Sequence, residues 1–281
     1  MAQVLPTLVV QQPRWQKLVT VVIFLLFVSW LLTTPAGLLG KADAVAYAVC
    51  HRIDARSFHL GERQIPLCAR CTGMYLGALV GLGFQARRKP RGTGTPPKTI
   101  LVSLVMLVLA FALDGGNSYL SLFPGLPHLY EPQNWLRLAT GTGMGLALSA
   151  ALYPAFNLTV WNTINPEPAI DSLGSLGLVL LGELVMMVLI LTENPLVLYP
   201  LALISAAGVL ILLSMVYSML WIILLRKENH YTSFLELIFP LIAGFGLALF
   251  QVAILDLVRY FLTRSWDGFH IGLQVSVFNK L

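Results

Sequence analysis

The stretch that decides the fold is LVTVVIFLLFVSWLL, residues 18–32, an apolar run without a charged side chain. With the residues that follow, it reaches the roughly 20 residues that a helix needs to cross the hydrocarbon core of a bilayer. Arg14 and Lys17 precede the run, as in a signal peptide. The small-residue motif at 46–48, however, lies too far beyond the run for cleavage. We therefore expect an uncleaved first membrane span.

Comparable runs recur along the whole chain. The chain is 57% hydrophobic and only 11% charged, whereas about a quarter of residues are charged in soluble proteins. The further predicted spans cover residues 66–84, 99–113, 135–153, 173–191, 195–225 and 234–262. Tryptophans lie at or near the ends of these spans, as an interfacial aromatic belt requires. The sequence therefore predicts an all-α, polytopic integral membrane protein of about seven transmembrane helices, forming one membrane domain over residues 1–281.

The basic residues indicate topology and not a nucleic-acid partner. The net charge is +5, but most lysines and arginines lie in short clusters beside the apolar runs, so we expect the lipid bilayer as partner and no nucleic acid. Arg14 and Lys17, the cluster at 87–98 and the pair at 226–227 fall on one side, which the positive-inside rule makes cytoplasmic. The opposite side holds as many basic residues. We expect a cytoplasmic amino terminus in the cell membrane, because several of the outer arginines belong to a suspected site.

All three cysteines of the chain lie between residues 50 and 77. Cys50 is followed directly by His51, and Cys68 and Cys71 form a Cys-x-x-Cys pair at the predicted start of the second span. If Pro66 occupies the first helical turn, both thiols of the pair face one side, where the positive end of the helix dipole favours thiolates. Cys50 and His51 would then complete a ligand set that suits tetrahedral zinc.

The same cysteines allow two other interpretations. On an oxidising outer face, Cys68 and Cys71 could form a disulfide, or Cys50 could pair with either of them and leave an odd thiol. The protein would then be a thiol–disulfide redox protein. Alternatively, the thiols could simply be buried and inert.

Polar residues at the same predicted membrane face extend the candidate site. Asp114 follows the third span and stands before two glycines, as in a turn, or it is a carboxylate partner for Arg70, Arg137 or a metal. Arg56, Arg70 or Arg137 could hold an anionic or lipid-linked substrate, while a metal activates water or polarises that substrate. We therefore name Asp114, Arg137 and Arg56 as candidate catalytic residues.

Glu183 suggests a third class of function. It falls at mid-depth in the fifth predicted span, where an ionisable group is costly and therefore a functional candidate. It could carry protons or a cation in a transporter, or it could be protonated or hydrogen-bonded to a neighbouring helix. A transporter would need a polar path from Glu183 to the cysteines.

The motifs also resemble a family. The matching residues are Cys50-His51, Arg56-Ser57-Phe58, Gly61, the run from Pro66 to Gly73, Tyr75, Gly77, Leu113-Asp114-Gly115, Asn134-Trp135-Leu136-Arg137 and Thr140-Gly141. This pattern is similar to the signature of a prokaryotic family of predicted membrane proteins, domain of unknown function 2085. The resemblance covers about residues 46–154, with residues 155–281 as additional transmembrane helices. It implies that the cysteine, Asp-Gly and Asn-x-x-Arg elements belong together, and it supplies no activity.

Overall fold

The computed structural model describes residues 13–123 and 125–268 and confirms an all-α polytopic bundle. Residues 1–12, Pro124 and residues 269–281 lie outside this part of the chain. The helices are α1 (Arg14–Thr33), α2 (Gly37–Val49), α3 (Ala69–Arg88), α4 (Lys98–Leu120), α5 (Asn134–Val160), α6 (Leu173–Leu191), α7 (Pro195–Leu224) and α8 (Phe234–Thr263). Between α2 and α3 lie a short 3-10 turn, Asp54–Arg56, and an antiparallel hairpin of β1 (His59–Leu60) and β2 (Arg63–Gln64), which pairs His59 with Gln64.

Long helices form where each apolar run was predicted. Within the described residues, six of them are long and apolar enough to cross a membrane, namely α1, α4, α5, α6, α7 and α8. The second predicted span becomes α3, whose 20 residues are less apolar. Helix α3 lies against α5, α7 and α6, so protein and not lipid surrounds much of it.

Two segments fold differently from what the local sequence suggests. Residues 41–49, the start of a polar and charged stretch, belong to α2, which buries alanines and Tyr47 against α7 and α8. Asp114-Gly115-Gly116, a turn signal at the end of a third span predicted to reach residue 113 or beyond, lies inside α4, which continues to Leu120. Asp114, Asn117 and Ser118 are buried, and their tertiary contacts outweigh the weak local preference of two glycines for a turn.

Small residues allow α3 and α5 to cross closely, as the glycines of the fourth predicted span suggested. A Cβ atom added to Gly77 would lie 2.6 Å from the carbonyl oxygen of Thr142. A Cβ atom added to Gly145 would lie 2.6 Å from the backbone nitrogen of Ala78. Because both neighbours are backbone atoms, they cannot rotate away. The crossing therefore depends on glycine at these positions.

We expect the substitution Gly145→Ala to destabilise the protein by about 1–3 kcal/mol, because overpacking forces the two helices apart. The matched control is Gly83→Ala on the same helix pair, where an added Cβ meets nothing within 4 Å and alanine is the better helix former. Thermal unfolding of the detergent-solubilised protein, followed by tryptophan fluorescence, measures both. Equal melting temperatures for the two variants would contradict the close crossing.

Candidate metal centre

Three thiols meet at one end of the bundle, which we call the cysteine end. The sulfur atoms of Cys50, Cys68 and Cys71 all lie within 4.8 Å of one another. Cys50 and Cys68 are buried and Cys71 is half-buried, and all three are free thiols. The three cysteines that the sequence analysis grouped together therefore also lie together in the folded chain.

Helix ends place the three sulfur atoms. Cys50 is the first residue after α2, and its backbone N–H donates to the carbonyl oxygen of Ala46 at 2.8 Å. Helix α3 begins at Ala69, so Cys68 is the residue that precedes the helix and Cys71 lies in its first turn. Pro66 therefore precedes the helix and does not occupy its first turn, contrary to the expectation. The thiols of Cys68 and Cys71 nevertheless lie close together.

Hydrogen bonds favour negative charge on Cys50. The backbone N–H of Cys68 donates to the Cys50 sulfur at 3.4 Å. The thiols of Cys68 and Cys71 also donate to it, which lowers the pKa of Cys50 well below its usual range. The same interaction raises the pKa of Cys68 to about 12, because its proton is held by the neighbouring sulfur. The cluster therefore stabilises one thiolate before any ligand is considered.

His51 lies beside the cluster and outside the group of mutually close sulfur atoms. Its Nδ1 accepts a hydrogen bond of 2.9 Å from the backbone N–H of Ile53, so the neutral ring carries its proton on Nε2 and could bind a metal only after giving up this hydrogen bond. Burial lowers the pKa of His51, and the charges of Arg56, Arg70 and Arg137 lower it further, against the opposing effect of Cys50. His51 is therefore neutral at pH 7, which is the form that ligates metals.

Helix α8 supplies a contact that sequence reasoning missed. The Nη1 atom of Arg259 donates to the carbonyl oxygens of Tyr47 at 2.5 Å and Cys50 at 2.6 Å, and Nη2 donates to that of His51 at 3.3 Å. The guanidinium also lies 4.0 Å from the centre of the Tyr47 ring. Arg259 therefore satisfies carbonyls at the end of α2 and orients the Cys50-His51 pair. No local pattern could have indicated this, because more than 200 residues separate the partners.

Asp114 lies in a polar network around Arg70. Arg70 forms an ion pair with the Asp114 Oδ2 atom, to which Thr140 donates at 3.2 Å. The hydroxyl of Tyr130 donates to Oδ1 at 2.8 Å. Of the partners proposed for Asp114, the structure therefore shows Arg70. Asp114 is not a member of the group of close ligand atoms that the three thiols form.

Arg56 and Arg137 also lie at the cysteine end. Arg56 donates from Nη2 to the carbonyl oxygen of Ser118 at 2.7 Å. Arg137 donates from Nη1 to the Asn134 side chain at 2.8 Å, and that amide donates to the carbonyl oxygens of Ala55 and Ser57, both at 3.3 Å. All the predicted polar site residues except Glu183 therefore converge at this end.

Glu183 stands apart from this site. It is buried in α6 with only 2% of its surface exposed, and its Oε1 atom has no hydrogen-bond partner among the described residues. No hydrogen bond in this part of the chain connects it to the thiols.

The helices and their apolar lengths define a polytopic α-helical membrane protein. The chain belongs to the family described as Predicted membrane protein (DUF2085), whose sequence model matches residues 50–151. An uncharacterised protein of Methanothermobacter thermautotrophicus is 32% identical over 101 residues, 36% of this chain and 81% of the relative. An uncharacterised protein of Methanocaldococcus jannaschii is 30% identical over 114 residues, 40% of this chain and 67% of the relative. No solved structure matches.

The match confirms the family resemblance. It begins at Cys50 and ends within α5, so it includes the three cysteines, Asp114 and Arg137. Helices α6, α7 and α8 lie beyond it. Arg259, which holds the Cys50-His51 backbone, therefore comes from outside the family segment.

Proposed function

We propose that the protein is a zinc-dependent membrane enzyme, with its metal held by Cys50, Cys68 and Cys71 and with His51 beside an exchangeable fourth coordination position. The observation that carries the proposal is the convergence of three thiols within 4.8 Å. Soft thiolate ligands in a tetrahedral arrangement suit zinc. The backbone N–H of Cys68 and the guanidinium of Arg259 supply the outer contacts that orient ligands in metal sites.

The fourth position decides what chemistry the centre supports. A zinc ion with three thiolates and one exchangeable position can activate water or polarise a substrate oxygen. A zinc ion that also binds His51 permanently would be a closed, structural centre. Because Nδ1 of His51 accepts from Ile53 and the ring lies outside the group of close sulfur atoms, we favour the exchangeable arrangement, with His51 beside the metal as a group that exchanges its Nε2 proton.

The remaining candidate residues take separate roles in this proposal. Asp114 positions Arg70 through their ion pair and does not ligate the metal. Arg56 and Arg137 would meet an anionic, lipid-linked substrate at the membrane surface. We place the cysteine end on the extracytoplasmic side and the amino terminus in the cytoplasm, following the basic residues that flank the spans.

The arrangement of the sulfur atoms favours metal binding over a thiol–disulfide relay. A relay would call for Cys68 and Cys71 within reach of each other and Cys50 apart, whereas all three sulfurs share one small volume. A disulfide between any two would leave the third thiol unused beside it. Bound zinc instead uses all three thiols together.

Elemental analysis combined with thiol counting tests the proposal. We expect the protein purified in detergent to contain about one zinc per chain, with its three cysteines reacting with a thiol reagent only after treatment with a chelator. Metal-free protein with a single reactive thiol, and two more only after reduction, would overturn the proposal in favour of a disulfide.

A further inference from the structure

Three arginines that are far apart in the sequence meet at the cysteine end, and we call them the arginine cluster: Arg56, Arg70 and Arg137. Arg56 and Arg70 both contact Ser118, the first at its carbonyl oxygen at 2.7 Å and the second at its hydroxyl at 3.0 Å. Their guanidinium groups are therefore neighbours, although like charges repel.

Arg137 completes the cluster from α5. It donates to Asn134, whose amide contacts the carbonyl groups on both sides of Arg56. One turn further along α5, Thr140 donates to the carboxylate that pairs with Arg70. The α5 side chains thus bring Arg137 to the other two arginines.

The cluster holds more positive charge than its surroundings neutralise. Arg56 and Arg137 have 8% and 5% of their surface exposed, and neither forms an ion pair with a carboxylate of the described residues. The single carboxylate of Asp114 is bound to Arg70, so two of the three positive charges are left over. A zinc ion with three thiolates would carry one negative charge and would still leave one positive charge, which is expensive to bury.

Unused donors accompany the excess charge. The buried Nε atoms of Arg70 and Arg137 have no hydrogen-bond partner in the part of the chain that the structure describes. A buried donor without a partner costs free energy of the order of 1–3 kcal/mol. An anion with several acceptor oxygens would satisfy these donors and the charge together.

We propose that the arginine cluster binds a phosphate group, as a phosphomonoester, a phosphodiester or free phosphate. Guanidinium forks match the geometry of phosphate oxygens and bind them by paired, charge-assisted hydrogen bonds. The amino-terminal ends of α3 and α5, which carry Arg70 and Arg137 in their first turns, add the positive ends of two helix dipoles. This inference rests on the proposed function, because it names the class of substrate on which the proposed zinc enzyme would act.

The site lies where two sources of phosphate could reach it. The first turns of membrane helices lie near the depth of lipid headgroups, so the phosphate could belong to a lipid. It could equally be a soluble phosphate that enters from the aqueous side. Two binding measurements on the detergent-solubilised protein separate these sources: calorimetric titration with inorganic phosphate, and native mass spectrometry with phosphatidylglycerol against diacylglycerol, which lacks the phosphate.

The decisive variants are Arg137→Gln and Arg56→Gln, with Arg63→Gln as the matched control. Arg63 lies at the same end, but its side chain is 51% exposed and pairs with Asp43. We expect phosphate or phosphatidylglycerol to bind the wild type, each cluster variant to weaken that binding by about 10-fold or more, and the control to change it by less than about 2-fold. Loss of lipid binding alone identifies a headgroup site, and loss of phosphate binding alone identifies a soluble ligand.

Two results would overturn the inference. One is a wild-type protein that binds neither inorganic phosphate nor phosphatidylglycerol in preference to diacylglycerol, a result that does not depend on how the variants fold. The other is binding that both cluster variants retain at wild-type strength. Zinc content measured on the same samples distinguishes the two proposals. A protein that binds phosphate but contains no zinc would refute the metal centre and support the arginine site.

Discussion

Replacing any one of the three cysteines by serine is expected to remove zinc from the protein. Cys50→Ser, Cys68→Ser and Cys71→Ser should each lower zinc affinity by more than the roughly 10–100-fold that loss of an outer contact costs, because a hydroxyl is a poor substitute for a thiolate ligand. We expect the three variants to lose zinc affinity to a similar extent, because the three sulfur atoms belong to one centre. Metal content by mass spectrometry and competition with a chromogenic chelator measure the effect.

The control for the cysteine variants is His59→Ala. This histidine lies between Cys50 and Cys68 in the sequence, but its Nε2 contacts Asp54 at 2.9 Å, and it is not a member of the thiol group. We expect His59→Ala to retain zinc. If His59→Ala loses the metal as completely as Cys50→Ser does, or if the cysteine variants keep it, the assignment of the centre is wrong.

His51→Ala distinguishes a structural centre from an exchangeable one. If His51 is a permanent fourth ligand, its removal should weaken zinc binding nearly as much as loss of a cysteine. If the fourth position is exchangeable, the variant should keep its zinc and lose only the reaction. The second result is the one we expect from the contact between His51 and Ile53.

The second large effect is expected at Asp114. This carboxylate is 1% exposed, and the bond to Arg70 makes it the counter-charge of the arginine cluster. Asp114→Asn leaves that charge buried without compensation, which typically costs about 3–5 kcal/mol. We expect the variant to unfold at a much lower temperature and to accumulate poorly in membranes.

Asp171→Asn is the matched control for Asp114→Asn. Asp171 also pairs with an arginine, Arg88, at 3.0 Å, but both side chains are about one-third exposed, so we expect less than about 1 kcal/mol. The double variant Asp114→Asn with Arg70→Gln should recover part of the loss, since both charges are then removed. Equal stability of the Asp114 and Asp171 variants would contradict the role given to Asp114.

The long apolar runs were sufficient to predict most of the helices. Lipid cannot satisfy backbone hydrogen bonds, so an apolar stretch of sufficient length must close its own bonds as a helix. Residues 173–191, for example, were predicted as a span and form α6 with those bounds. Where helices are short or polar, this constraint is weak, and α2 and the end of α4 were therefore missed.

The sequence predicted the side chains that could bind a metal, but not every contact that holds them in place. The spacing of Cys50, Cys68 and Cys71 suggested a common centre because the chemistry of thiolates demands neighbours, and the sulfur atoms are indeed close. Arg259 was not predictable, because its partners are backbone carbonyls, which every residue carries. A contact of this kind cannot be recognised from the types of the residues involved.

Hydrophobic length and residue spacing are local properties, and they were enough to predict a helical membrane protein in which Cys68 and Cys71 lie at the start of a helix. The charge network came from the folded bundle alone, in which buried Arg56, Arg137 and Asp114 and half-buried Arg70 meet from four separate segments. The physical reason is that burial and electrostatic pairing depend on distances across the bundle, and glycine contacts between α3 and α5 set those distances.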